Sequence, residues 1–247
     1  MNIVVAMKQI PDLQQIRIRN RQPVLDDVPF TFGNIDRNAL EAGVRLKEAV
    51  GGKVIVVAAG SEAIEDTIKE ALAAGADEAI LIVNNLLEGA ESAINAELIA
   101  QAISKLDEVG IIIFGEGSGD NYSGQVGSRV AGILGLPQAA YVKSLEISGT
   151  MAKFVRSLED CEELLEAQLP LVITVLADIN EPRIPSVTQI LKAGKKPKEV
   201  LDLAPSAVSK IETMSSRAPE MQRKQIIMKN IDELIQALEA EGFVGRK

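Results

Sequence analysis

Histidine and tryptophan are both absent from the 247 residues, and cysteine occurs once, at Cys161. Without imidazole the chain cannot assemble a Ser-His-Asp or Cys-His nucleophile of its own, nor a zinc site that needs a histidine. One thiol makes neither a disulfide framework nor an iron–sulfur ligand set. Its neighbours Glu159, Asp160, Glu162 and Glu163 disfavour a thiolate, so a small packing role is expected for Cys161. Redox chemistry, if there is any, has to be carried by a bound cofactor. Aromatic residues make up only 3% and the formal net charge is -9, which removes the stacking platforms and clustered positive charge that nucleic acids require. No apolar run reaches the length of a membrane span, and the first residues enter a strand-like segment without a cleavage site, so a cytoplasmic protein is expected.

The chain does have a large aliphatic content, 47% hydrophobic and dominated by Ala, Val, Ile and Leu, enough for one large domain with or without an appendage. The stretch 111–137, IIIFGEGSGDNYSGQVGSRVAGILGLP, reads as strand, glycine-rich loop, polar turn and helix in succession. Residues 111–114 suit a parallel strand buried on both faces. Gly115, Gly117, Gly119 and Gly124 relax the backbone where a ligand approaches closely. Asp120, Asn121 and Ser123 are N-cap residue types, and the following helix, with Val126, Val130, Ile133 and Leu134, aims free N–H groups back at the loop. The pattern matches neither G-x-G-x-x-G nor the Walker sequence, so a phosphate cradle and an ordinary glycine-rich turn both remain open at this point.

Strands are expected at 2–6, 53–59, 79–83 and 111–114, with helices at about 34–50, 62–74 and 93–106 between them and a polar connection at 84–91. Ile16, Ile18 and Val24 flank turn residues and suit a small hairpin. This alternation predicts an α/β fold, a doubly wound and mostly parallel sheet, in which ligands lie outside the carboxyl ends of the strands. That rule selects residues 6–8, 59–61 and 115–125. After Pro137, segments 141–147, 151–156 and 162–169 predict antiparallel edge strands, followed by an apolar strand from 171. We therefore expect an α/β domain over 1–177, antiparallel edge at 141–169 included, and an extended C-terminal arm over 178–247. Within the arm, Val187, Ile190 and Leu191 fall at helical spacing, 204–225 is polar and irregular, and 230–240 makes a terminal amphipathic helix.

Taken together, IVVAMKQIPD, GNIDRNALEAGVRLKE, TIKEALAAGADEA, FGEGSGDNYSGQVGSRVAGILGLPQ, RSLEDCEELLEAQLPLVIT and NEPRIPSVTQILKAGKK closely resemble the beta subunit of electron transfer flavoprotein. The likeness covers essentially the whole chain. Its most specific part is the signature-like run with Arg156, Glu159, Asp160, Glu163, Leu165, Pro170, Val172, Ile173 and Thr174; only Phe154 departs, where a small aliphatic residue is usual.

The resemblance implies a heterodimer with an alpha subunit that holds the electron-carrying FAD. It also implies an adenine nucleotide site in this chain, holding structural AMP in ordinary members and a second FAD, reduced by NADH, in electron-bifurcating ones. Transferred to this sequence, the site comprises Ala6, then Gly33, Asn34, Ile35 and Asp36, then Ala59. It continues through Gly115, Glu116, Gly117, Ser118, Gly119, Asp120, Asn121, Tyr122, Ser123, Gly124, Gln125 and Val126. Tyr122 stands where the family often has an acid, which leaves AMP and FAD both open. Contact with acyl-CoA or other dehydrogenases as transient redox partners is implied for Pro182, Arg183, Ile184, Val187, Ile190, Leu191 and Lys192. An adenine-nucleotide sensor module on the same sheet is the rival outside the family.

Overall fold

Alternate side chains along β1 (Asn2–Pro11) point to opposite faces, and both faces are apolar. Ile3, Val5 and Met7 enter one hydrophobic cluster while Val4 and Ala6 enter another. Such a strand is stable only with a layer on each side, and the computed structural model supplies both. It describes residues 1–84, 90–206, 209–220 and 225–244.

In chain order, β1 leads to β2 (Arg17–Arg19) and β3 (Gln22–Val24), which pair as a hairpin, and then to β4 (Phe30–Phe32), which lies antiparallel against the end of β1. Next come α1 (Asn34–Val50), β5 (Lys53–Gly60), α2 (Ile64–Ala74), β6 (Glu78–Val83), α3 (Ser92–Ile103), β7 (Val109–Gly115) and α4 (Val126–Leu134). A meander of β8 (Gln138–Ser148), β9 (Met151–Ser157) and β10 (Glu162–Gln168) precedes β11 (Leu171–Val175). The chain continues through α5 (Val187–Ala193) and β12 (Lys198–Leu201) to α6 (Ile231–Ala240). Of the connection expected at 84–91, residues 85–89 lie outside the described residues, as do 207–208 and 221–224 of the polar 204–225 segment.

The large sheet runs β10-β9-β8-β11-β7-β1-β5-β6-β12. Along this path pairing is parallel from β8 through β11 to β12 and antiparallel where β8 meets β9 and β9 meets β10; β4 adds an antiparallel pair at the end of β1. This is the doubly wound sheet with antiparallel edge strands that the alternation predicts. The helices α1 and α2 cover the face carrying Ile3, Val5, Val56, Ile113 and Ile173. On the opposite face α3 and α4 cover Val4, Val57, Ile112 and Val172. Each fully buried Ile, Val or Leu in these layers contributes about 1.5–3 kcal/mol, which explains why the central strands read as unbroken apolar runs.

Two compact units are distinguished by their contacts. The first, Met1–Arg17 with Val24–Ser215, contains the large sheet and its helices; the second combines Ile18–Pro23 with Ser216–Lys247. In the first unit the chain beyond Asp178 stays on the sheet, with β12 in parallel register beside β6 from Lys198↔Ala79 to Leu201↔Ile82. In the second, Ala218 N–H donates to Arg21 O at 2.8 Å, and the Asn230 side chain caps α6 by accepting from Glu233 N–H at 2.9 Å. Cys161 corrects the expectation of a packing role: it is exposed in the turn joining β9 to β10, where the chain reverses and Leu158 N–H donates to Cys161 O at 2.9 Å.

Candidate functional site

The register places Ala6 opposite Phe114 of β7, and Lys8 opposite Ala59 of β5, so the carboxyl ends of three neighbouring strands meet. A cavity of about 310 Å³ opens there. That is at the small end of the range for ligand sites, roughly 300–1,000 Å³. Of the expected nucleotide-site residues, Ala6, Asp36, Ala59, Gly115, Glu116, Gly117, Ser118, Asn121, Ser123, Gly124, Gln125 and Val126 line it.

The others stand behind or beside this wall. Gly33 backs onto the loop, a Cβ built there lying 3.8 Å from Gly119 N, and the Ile35 side chain packs against Gly115. Asn34 faces a different cavity, and Gly119 lies against Leu13 and Ile10. Asp120 pairs with Lys8 at 2.6 Å from Nζ to Oδ2. Tyr122 is about half exposed in a left-handed conformation (φ 47°) with its hydroxyl donating to the Glu116 carboxylate, and that bond pushes its phenol up to about 12. The tyrosine ring covers Gly117, where a Cβ would sit 3.0 Å from ring carbons.

Two helices begin at this cavity, and a third lends it one side chain from its first turn. Asp36 belongs to the first turn of α1, Ser92 opens α3 and Val126 opens α4, and all three residues are in the lining. None of the three helices has a side-chain cap at its N-terminus. Uncapped N–H groups at a helix start favour negative charge by roughly 0.3–1 kcal/mol each, so the starts of α3 and α4 make this end of the cavity suited to an anion. Lys8 adds a formal positive charge on the same rim. Ala6, Ala59, Ile99, Phe114 and Val126 supply an apolar portion, and Ser118, Asn121, Ser123 and Asn95 supply hydroxyl and amide partners.

Asp36 is the unusual group. It is 7% exposed, its Oδ2 accepts the Lys8 backbone N–H at 2.8 Å, and the Gly115 amide also donates to it. Burial pushes the carboxyl up to about 7, with the Lys8 amide and charge opposing. Gly115 is obligatory here, since a Cβ would lie 2.8 Å from Asp36 Oδ1. Asp120 behaves oppositely: burial opposes its charge, but hydrogen bonds from Lys8 and Ser118 outweigh that and hold its carboxyl below the ordinary value.

Sequence reasoning missed the start of α3, with Ala90, Glu91, Ser92 and Asn95, and it missed Ile211 and Thr213 beyond the sheet. Ser92 and Asn95 at a helix start were a legible signal for the first group. Nothing in the polar 204–225 segment marked the second.

The residues expected to meet redox partners divide between two surroundings. Pro182, Arg183, Ile184 and Ile190 line a cavity of about 600 Å³ together with Met7, Phe32 and Leu40. Val187 and Leu191 project to solvent, each 74% exposed, and Lys192 is exposed beside them in the last turn of α5.

Comparison with known proteins identifies the family. Residues 24–206 match the family described as electron transfer flavoprotein domain. The chain is 35% identical to the electron transfer flavoprotein subunit beta of Thermoanaerobacterium thermosaccharolyticum over 96% of each chain. It is 33% identical to the protein of the same name from Megasphaera elsdenii, covering 91% of this chain and 86% of the relative. It is also 34% identical to the caffeyl-CoA reductase-Etf complex subunit CarD of Acetobacterium woodii, covering 80% and 76% respectively.

Proposed function

The chain belongs to the electron transfer flavoprotein family, as a beta subunit, and on that footing we propose that it binds AMP in the cavity at the ends of β1, β5 and β7. One observation carries the reading: two uncapped helix starts, those of α3 and α4, a lysine and a glycine-rich loop converge on a small cavity with an apolar portion. The start of α4, with Ser123 and Lys8, would take the phosphate. Asp36 and Glu116 accept hydrogen bonds and so suit ribose hydroxyls or an exocyclic amine, while Ala6, Ala59 and Phe114 offer a flat apolar slot for the base. These carboxylates also require the phosphate to lie on the α4 side, away from them.

As a beta subunit the chain has an alpha subunit as its partner. FAD held by that subunit supplies the one-electron and two-electron chemistry, accepting electrons from acyl-CoA or other dehydrogenases in the cytoplasm. This chain's part is to hold AMP as a structural element, to position the flavin-bearing partner, and to present Val187 and Leu191 to the dehydrogenases. The test is a count of nucleotides. The chain is purified with its alpha partner and denatured, and the released FAD and AMP are measured by absorbance and chromatography. One FAD and one AMP per heterodimer is the expected result. Two FAD would replace AMP by a second flavin in this site, and release of FAD alone would mean the cavity holds no nucleotide.

A further inference from the structure

One face of α1 carries Asn38, Glu41, Arg45 and Glu48, polar groups that recur three or four residues apart and therefore stack along the helix. All four grip residues 180–183. Asn38 Nδ2 donates to Asn180 O at 2.7 Å, and Asn180 Nδ2 donates back to Asn38 O at 2.9 Å. Arg45 Nη2 reaches Glu181 O at 3.2 Å. The Arg183 guanidinium spans two carboxylates: Nε and Nη2 donate to Glu41 at 2.6 and 3.2 Å, and Nη1 and Nη2 donate to Glu48 at 2.7 and 3.1 Å. Glu41 is only 4% exposed, and its charge is met by Arg183 together with Arg45, whose Nε donates to it at 2.6 Å.

The other end of the same segment is also fixed. Lys196 Nζ donates to Leu72 O at 2.7 Å and to Ala76 O at 2.6 Å, at the end of α2. Between these roots, Ser186 and Gln189 form a reciprocal capping box at the start of α5. Between the roots the aliphatic side chains are strongly exposed, with Ile184 at 93% and Val187 and Leu191 at 74%. An apolar set held outward on a segment anchored at both ends is preorganised for docking, because the ordering cost is met before the partner arrives.

We propose that Arg183 is a positioning residue, holding residues 184–192 in the conformation that meets redox partners; this rests on the reading of that segment as the partner contact. Arginine is required rather than any cation, since only the planar fork spans Glu41 and Glu48 together.

The experiment uses the complete heterodimer. Amide exchange across 184–192 is measured for the parent, Arg183→Ala, Arg183→Lys and Leu191→Ala, followed by reduction by an acyl-CoA dehydrogenase that transfers to the parent complex. In Arg183→Ala, exchange over 184–192 should rise by about tenfold and KM for the dehydrogenase by about tenfold, with kcat, flavin content and strand protection as in the parent. Arg183→Lys should fall between the two. Unchanged exchange in Arg183→Ala overturns the proposal, as does raised exchange with unchanged KM when Leu191→Ala raises KM. If Leu191→Ala also leaves KM unchanged, the segment is not the partner contact and the underlying reading falls. Should Arg183→Ala yield no folded complex, Glu48→Gln loosens the exposed half of the clasp and should raise both readouts several-fold; no change in either rejects the proposal.

Discussion

Replacing Asp36 by Asn tests the electrostatics of the site directly. The carboxyl is 7% exposed and burial pushes it up to about 7, whereas in the unfolded chain it titrates near the ordinary value of about 3.9. Below about pH 4 both states carry the proton and the group has no effect on stability. As the pH rises toward 7 the unfolded chain releases its proton while the folded one keeps it, so stability falls across this window and levels off above it. Between about pH 5 and about pH 8.5 the loss assigned to Asp36 is roughly 3 kcal/mol. Asn keeps the shape and removes the titration. Its amide cannot accept from both the Lys8 and Gly115 N–H groups, which costs about 1–3 kcal/mol at every pH. The variant should therefore gain roughly 3 kcal/mol on the parent between about pH 5 and about pH 8.5 and be the more stable of the two at the higher pH. Urea unfolding of the nucleotide-free chain, followed by circular dichroism at both pH values, measures the difference. A gap that stays constant between the two pH values would mean that Asp36 is ionised throughout, and the assigned role of burial would be wrong.

Gly117→Val would place a branched side chain where even a Cβ lies 3.0 Å from the Tyr122 ring, at the wall of the cavity. Nucleotide should be lost from the purified heterodimer while the far-ultraviolet spectrum is unchanged; normal AMP content would mean the ligand is held elsewhere. Lys8→Met keeps the aliphatic stem and deletes the charge that pairs with Asp120 at 2.6 Å. AMP affinity by calorimetry should fall by about tenfold or more, with a weaker dependence on salt than in the parent, and an unaltered affinity would take Lys8 out of phosphate binding.

Much of the architecture was legible because its signals are local. The central strands announced themselves as apolar runs, since a parallel strand buried on both faces has no polar side to interrupt it. Glycine spacing in 111–137 marked the loop for the same reason: a close backbone approach leaves no room for a Cβ. The strand β12 was missed because its sequence, KEVL, is a half-polar edge within a lysine-rich segment, and only its pairing with β6 makes it a strand. Cys161 was misplaced because its acidic neighbours described its chemistry but not its exposure in a turn.

The sequence by itself determined the α/β class, the end of the sheet at which a ligand can lie, and the loop that forms one wall of the cavity. Each of these follows from periodicity or from residues adjacent in the chain. Tertiary structure decided which distant groups complete the site: the start of α3, Ile211 and Thr213 closing on the cavity, and Lys8 bonded to Asp120 across 112 positions. It also decided that burial raises the Asp36 carboxyl and that Arg183 finds Glu41 and Glu48. Desolvation and ion pairing depend on what surrounds a group in space, and no window along the chain contains that information.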